Sequence, residues 1–86
     1  MNKDYEVLAY ISWNLEDAIE QLTKISEMII PNSEIDEDEF NAIIADIYGH
    51  LNTAWNIRHL KSSDLNSANG EQLDLWKQFP DDIKPF

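Results

Sequence analysis

The chain has 86 residues, 43% of them hydrophobic, no cysteine, and 17 acidic against 6 basic side chains, which gives a formal net charge of −11 at pH 7. These numbers predict one small domain spanning residues 1–86, too apolar to be disordered. The absence of cysteine excludes disulfides and thiolate–metal sites and favours a cytoplasmic location. No apolar run is long enough to cross a bilayer. The negative charge disfavours nucleic acid and membranes as partners and favours a basic protein, although such charge also simply keeps small proteins soluble.

Apolar residues in the first segment of the chain recur at helical spacing. The intervals alternate between three and four residues, which is the pattern of a helix that packs along another helix. The pattern predicts a helix over about residues 4–30, with Pro31 ending it. Its predicted buried stripe is Leu8, Ile11, Leu15, Ala18, Leu22, Ile25 and Ile29.

A second helix follows the sequence PNSEIDEDEF. Ser33 or Asp36 can cap it, and Glu39 stands three residues after Asp36, as in a capping box. The helix is predicted over about residues 36–60, and the short connection requires the two helices to run antiparallel. This register places Ile11 beside Ala54. The predicted stripe of the second helix is Phe40, Ile44, Ile47, Leu51, Ala54 and Arg58.

A shorter C-terminal helix is predicted over about residues 71–78, after the polar stretch SSDLNSANGE. Its inward-facing residues would be Leu73, Trp76 and Phe79, and Ile83 and Phe86 indicate that the tail packs as well. The predicted fold class is therefore all-α, an antiparallel two-helix hairpin with a shorter third C-terminal helix.

The start of the first helix is apolar on nearly every side. Tyr10 and Trp13 lie away from the stripe, and a helix that is apolar all round is expected to be buried all round. The third helix and tail could cover this region completely. Alternatively, a second copy covers it and forms a four-helix-bundle-like dimer core, or another protein binds at Tyr10 and Trp13.

An acidic run precedes and opens the second helix. It lacks the glycine and glutamate spacing of an EF-hand, so it is interpreted as a solvated helix start. On a chain of this charge, the run is also the candidate surface for a basic partner. Its residues are Glu34, Asp36, Glu37, Asp38 and Glu39.

Two residue pairs resemble half-sites of a di-metal helical bundle. Glu16 and Glu20 are four residues apart, as are Asp46 and His50. The two pairs fall on opposite flanks of the hairpin, so a single chain cannot combine them, although a dimer could. We therefore predict no metal site and no cofactor. The chain also lacks a nucleophile motif and a glycine-rich phosphate loop, which predicts that it is not an enzyme.

The stretch HLNTAWNIRHL at the end of the second helix is a candidate ligand site. Asn52, Trp55 and His59 share one helix flank, with a composition that suits either a half-buried flank or a binding surface. Arg58 occupies a position of the buried stripe, where it would lay its stem over the core and pair with a carboxylate. His59 beside Lys61 forms a local basic spot that could hold an acidic group.

Three functions follow from these features. The first is a small acidic interaction protein, such as an inhibitor, antitoxin, immunity-type or regulatory protein, that binds a basic partner. The second is a homo-oligomeric structural protein without catalytic activity. The third is a small-molecule binder that uses Asn52, Trp55, Arg58 and His59.

Overall fold

The computed structural model describes residues 1–31 and 34–84, and this part of the chain is helical with no strand. Two long helices pack against each other and two short ones follow. The prediction of an all-α fold built on a two-helix hairpin is confirmed. The described residues form four helices, α1 (Tyr5–Met28), α2 (Glu37–Asn56), α3 (Ser62–Asn66) and α4 (Gly70–Trp76).

Aspartate side chains begin both long helices. Asp4 accepts a hydrogen bond from the backbone N–H of Glu6 at 3.1 Å, and Asp36 accepts one from that of Glu39 at 2.8 Å. Each carboxylate satisfies an N–H group that has no partner within its helix. Asp36 is therefore the cap of α2. The alternative cap, Ser33, lies outside the described residues.

Two apolar clusters hold α1 and α2 together. One joins Val7 and Ile11, near the start of α1, to Ala54 and Ile57 at the end of α2. The other joins Ala18 and Ile25 to Ile47, with half-buried isoleucines around them. The early part of α1 thus meets the late part of α2, which confirms the antiparallel arrangement and the proximity of Ile11 to Ala54.

The buried stripe of α1 is rotated relative to the prediction. Its buried members are Val7, Ile11, Asn14, Ala18 and Ile25. Leu15 and Leu22, predicted to be buried, are exposed, and Leu8 is half-buried. The apolar arc of α1 is wider than one neighbouring helix can cover, so packing selects one edge of it. In α2 the same rotation buries Ile47 and Ala54 and leaves Phe40 and Leu51 exposed.

The segment after α2 contains a short helix that the sequence did not predict. Helix α3 packs on α1, and the Ser62 backbone N–H donates to Asp4 at 2.8 Å. Helix α4 packs on α2, where Trp76 contacts the first cluster. The predicted burial of Phe79 is wrong, because this ring is exposed, as is Leu73. Ile83 is half-buried, and Phe86 lies outside the described residues.

The apolar start of α1 is not buried on all sides. Tyr10 is half-buried against the first cluster, but Trp13 is 54% exposed and Tyr5 is more exposed still. Helix α3 and the tail therefore do not cover this region completely. No helix in the described part of the chain has the length and apolar character that a membrane span requires.

Candidate interaction surfaces

One flank of the hairpin carries large apolar side chains in contact with solvent, and we call it the apolar face. Its members come from both long helices and none is charged. They range from 40% to 61% exposed. Hydrophobic side chains exposed singly are normal, but a set that lines one flank of two adjacent helices is typical of an interaction surface. The apolar face consists of Leu15, Ile19, Leu22, Phe40, Tyr48 and Leu51.

Acidic side chains border the apolar face. Three glutamates lie on one side of α1, next to the side that carries Ile19, and all three are exposed. They are Glu16, Glu20 and Glu27. Glu20 pairs with the exposed Lys24 at 3.2 Å, and such a pair contributes little to stability. We call these three glutamates the acidic rim.

The acidic run of the sequence lies at the tip of the hairpin. All five of its predicted binding residues, Glu34 and Asp36 to Glu39, are exposed. Asp36 is occupied as the cap of α2, while the following three acids stand in its first turn. The helix dipole and the cap account for acids at these positions, so the run has a structural role whether or not it binds a partner.

The opposite flank carries a groove with aromatic and polar walls. Its volume is about 330 Å³, and it is lined by α1, α2 and α4. Asn14, which is 3% exposed, donates from its amide to the Tyr10 carbonyl at 2.9 Å and faces His50 Nδ1 with Oδ1, also at 2.9 Å. His50 Nδ1 therefore carries the proton and donates it to Asn14. The Trp13 ring meets the His50 ring edge-on at 6.4 Å.

The groove brings together some of the residues considered for metal binding and separates the others. His50 Nε2 lies 3.8 Å from Asp46, which also accepts a hydrogen bond from Gln21. Glu16 and Glu20 belong to the acidic rim on the other flank. The described residues contain no cluster of three or more histidine, aspartate or glutamate side chains that could hold a metal ion.

The four residues of the predicted ligand site have different surroundings. Asn52 is buried and donates to the backbone carbonyl of Lys77, the residue after α4, at 2.7 Å. His59 is exposed beyond the end of α2. Trp55 and Arg58 are in contact, with the Arg58 guanidinium 3.8 Å from the centre of the Trp55 ring.

A carboxylate from the tail binds Trp55 and Arg58 together. Trp55 Nε1 donates to Asp82 Oδ1 at 2.9 Å, and Arg58 Nη2 donates to Asp82 Oδ2 at 2.8 Å. The hydrogen bond from Trp55, followed by that from Arg58, lowers the pKa of Asp82 below its ordinary value. The internal ion pair predicted for Arg58 is thus present, and its partner is an acid that sequence reasoning did not identify.

Sequence patterns gave only partial signals for these contacts. Asn14 occupies a 4-3-4 rhythm with Val7, Ile11 and Ala18, which marks a polar residue inside a buried stripe. Asp82 lies in a tail with no periodicity, so nothing local indicated its partners.

Comparison with protein-family models, with curated proteins and with solved structures finds no match to this chain.

Proposed function

We propose that this protein is a protein–protein interaction module that binds a basic amphipathic helix of a partner protein along its apolar face. The observation that carries the proposal is the apolar face itself, an uncharged set of large side chains on two adjacent helices. A groove or flank of this kind can receive the apolar side of a third helix, with anchors at helical spacing.

Charge supports a basic occupant. The acidic rim runs beside the apolar face along α1, and the acidic run lies at the end where α2 begins. Lysine and arginine on the polar side of a docked helix would pair with these acids, and the net charge of −11 would speed their encounter. This role is one of binding, as in an inhibitor, antitoxin, immunity-type or regulatory protein. The absence of cysteine favours the cytoplasm as the place where the protein acts.

A second copy of this chain is the alternative occupant of the apolar face. Because the six residues of the face are uncharged, apposing two copies would form a four-helix core without placing acids directly opposite one another. Each copy nevertheless carries the same net charge of −11, so their association would be opposed at low salt and strengthened by added salt. A basic helix has the opposite salt dependence, which separates the two occupants.

Two synthetic peptides of leucine and lysine test the proposal. Both would be about 18 residues long, which is five helical turns. In one, the leucines fall on one helical side, and in the other the same residues are scrambled. We expect the patterned peptide to bind about tenfold more tightly, because only it can bury leucines on the apolar face. Titration calorimetry at low and high salt would show binding that weakens with salt.

Substitutions that leave the net charge unchanged locate the binding surface. Leu51→Gln removes an apolar side chain from the face, and Leu75→Gln makes the same change at an exposed leucine of α4. We expect Leu51→Gln to weaken the patterned peptide about tenfold and Leu75→Gln to leave it unchanged. Equal binding of the two peptides would contradict the proposal. Sedimentation that shows a salt-stabilised dimer, dissociated by Leu51→Gln, would assign the face to a second copy instead.

A further inference from the structure

The contact between Trp55 and Arg58 is formed within a single helix end. The Arg58 guanidinium stacks on the Trp55 ring, and Arg58 Nη1 donates to the Trp55 backbone carbonyl at 2.9 Å. Neither contact involves the tail. The contacts between the two donor groups that face Asp82 are therefore made by residues of α2 and the turn that follows it, without the tail.

The two donors match the two oxygens of one carboxylate. The Trp55 indole N–H takes one oxygen of Asp82 and the Arg58 guanidinium takes the other. Charge-assisted contacts of this kind, divided between both oxygens, distinguish a carboxylate from an amide or a hydroxyl. Arg58 is also the only arginine in the sequence, so a planar guanidinium donor occurs nowhere else in the chain.

The Asp82 carboxylate, which accepts hydrogen bonds from these donors, is accessible to solvent. The Asp82 side chain is 59% exposed, whereas that of Arg58 is 22% exposed. Asp82 lies in a short segment after α4 that has no helix or strand. The donors are thus half-buried at the end of α2, and the acceptor is supplied by an irregular segment at the surface. This is the arrangement of a preorganised site with a tethered ligand.

We propose that Trp55 and Arg58 form a binding site for the carboxylate of an acidic peptide segment. In the isolated chain, Asp82 of the tail occupies this site, and an acidic segment of another chain takes its place when the tail is released. The tether gives Asp82 a high effective concentration, so a free peptide competes poorly until that carboxylate is removed. This inference rests on contacts separate from those of the apolar face and does not depend on the function proposed above.

The indole N–H of Trp55 reports directly on occupancy of the site. In ¹⁵N-labelled protein it gives one of three indole resonances, and those of Trp13 and Trp76 serve as internal controls for folding. We expect Asp82→Asn to shift the Trp55 resonance upfield because the charged acceptor is lost. Asp81→Asn changes the charge by the same amount on the neighbouring residue and should leave that resonance in place.

A tail peptide supplied to the Asp82→Asn protein then tests binding between chains. The probe is the capped peptide FPDDIK, which has the sequence of residues 79–84, and its control is FPDNIK. We expect FPDDIK to move the Trp55 resonance saturably back toward its wild-type position and FPDNIK to have no such effect. In the double variant Asp82→Asn with Arg58→Lys, which keeps the positive charge but not the fork of donors, FPDDIK should lose its effect.

Two results would overturn the proposal. One is a Trp55 resonance that is the same in the wild-type protein and in Asp82→Asn. The other is an equal response to FPDDIK and FPDNIK. Should Asp82→Asn fail to fold, Asp82→Ser takes its place in the same titrations with FPDDIK and FPDNIK, because it also removes the carboxylate that competes with the peptide.

Discussion

Asn14 and His50 form a hydrogen bond of 2.9 Å across the hairpin, from the buried stripe of α1 to the flank of α2. They are 36 positions apart in the sequence, and Asn14 is among the least exposed polar residues of the chain. A satisfied polar pair at an otherwise apolar seam favours one helix register over its neighbours, because a slip would leave the buried Asn14 side chain without its partner on α2.

The Asn14–His50 pair should therefore show non-additive effects on stability. We expect Asn14→Leu to lower the free energy of unfolding by about 1–3 kcal/mol, because it leaves the His50 Nδ1–H without an acceptor. The double variant Asn14→Leu with His50→Leu should recover most of this loss, since both polar groups are then gone. Urea unfolding of the wild type, the single variants Asn14→Leu and His50→Leu, and the double variant measures the coupling, and strictly additive effects would show that the pair does not act as a unit.

Ile47 and Leu51 test the rotation of the buried stripe. Both belong to the stripe predicted from the sequence, yet Ile47 is 4% exposed and Leu51 is 40% exposed. We expect Ile47→Ala to cost about 2–5 kcal/mol of unfolding free energy, because it leaves a cavity in the second cluster. Leu51→Ala should cost only about 1 kcal/mol, since less area is buried there. Similar losses at the two positions would contradict the rotated packing.

Gly49 is expected to limit the stability of α2. It lies in the interior of the helix, and a Cβ atom built there would meet only the Lys77 side chain, at 3.8 Å. Gly49→Ala should raise the free energy of unfolding by about 0.5–1 kcal/mol, because alanine loses less backbone entropy in a helix. Gly70→Ala, at the first residue of α4, is the control and should raise the free energy of unfolding by a smaller amount. A loss of stability at Gly49 would show that the space beside Lys77 is smaller than described.

Asp4 should contribute to the pH dependence of stability. The Ser62 backbone N–H, followed by other contacts that include that of Glu6, lowers the pKa of Asp4 below its ordinary value of 3.8. A carboxyl group whose pKa is lowered on folding stabilises the folded state above its ordinary pKa, and this contribution is lost as the pH falls through the lowered value. Asn at this position still caps α1 but does not titrate.

The wild type and Asp4→Asn should thus differ in thermal stability at neutral pH and converge in acid. Melting temperatures measured at a series of pH values would show the wild type losing its advantage below its ordinary pKa of 3.8. The pKa of Asp82 is also lowered, so Asp82 adds to the pH dependence of stability in the same direction. This contribution is present in both proteins and therefore cancels in the comparison. A difference that stays constant from neutral pH into acid would rule out the charged cap as its source.

The sequence alone predicted the two long helices because their signals are local. These signals are apolar residues spaced alternately three and four positions apart, an aspartate at the start of each long helix and the small number of helix breakers. Each of them depends only on residues within one or two helical turns. The same signals, with a short connection, fixed the antiparallel order and the pairing of Ile11 with Ala54. The acidic run at the start of α2 was visible for the same reason.

Only the tertiary structure decided which edge of each apolar arc is buried, since both arcs are wider than one neighbouring helix covers. That choice placed Asn14 in the seam and exposed Leu15, Leu22 and Leu51 as part of the apolar face. Tertiary structure also decided the partners of Asp82, which stands 27 residues from Trp55 and 24 from Arg58. A contact of that range depends on where α3 and α4 carry the chain, and no local pattern records it.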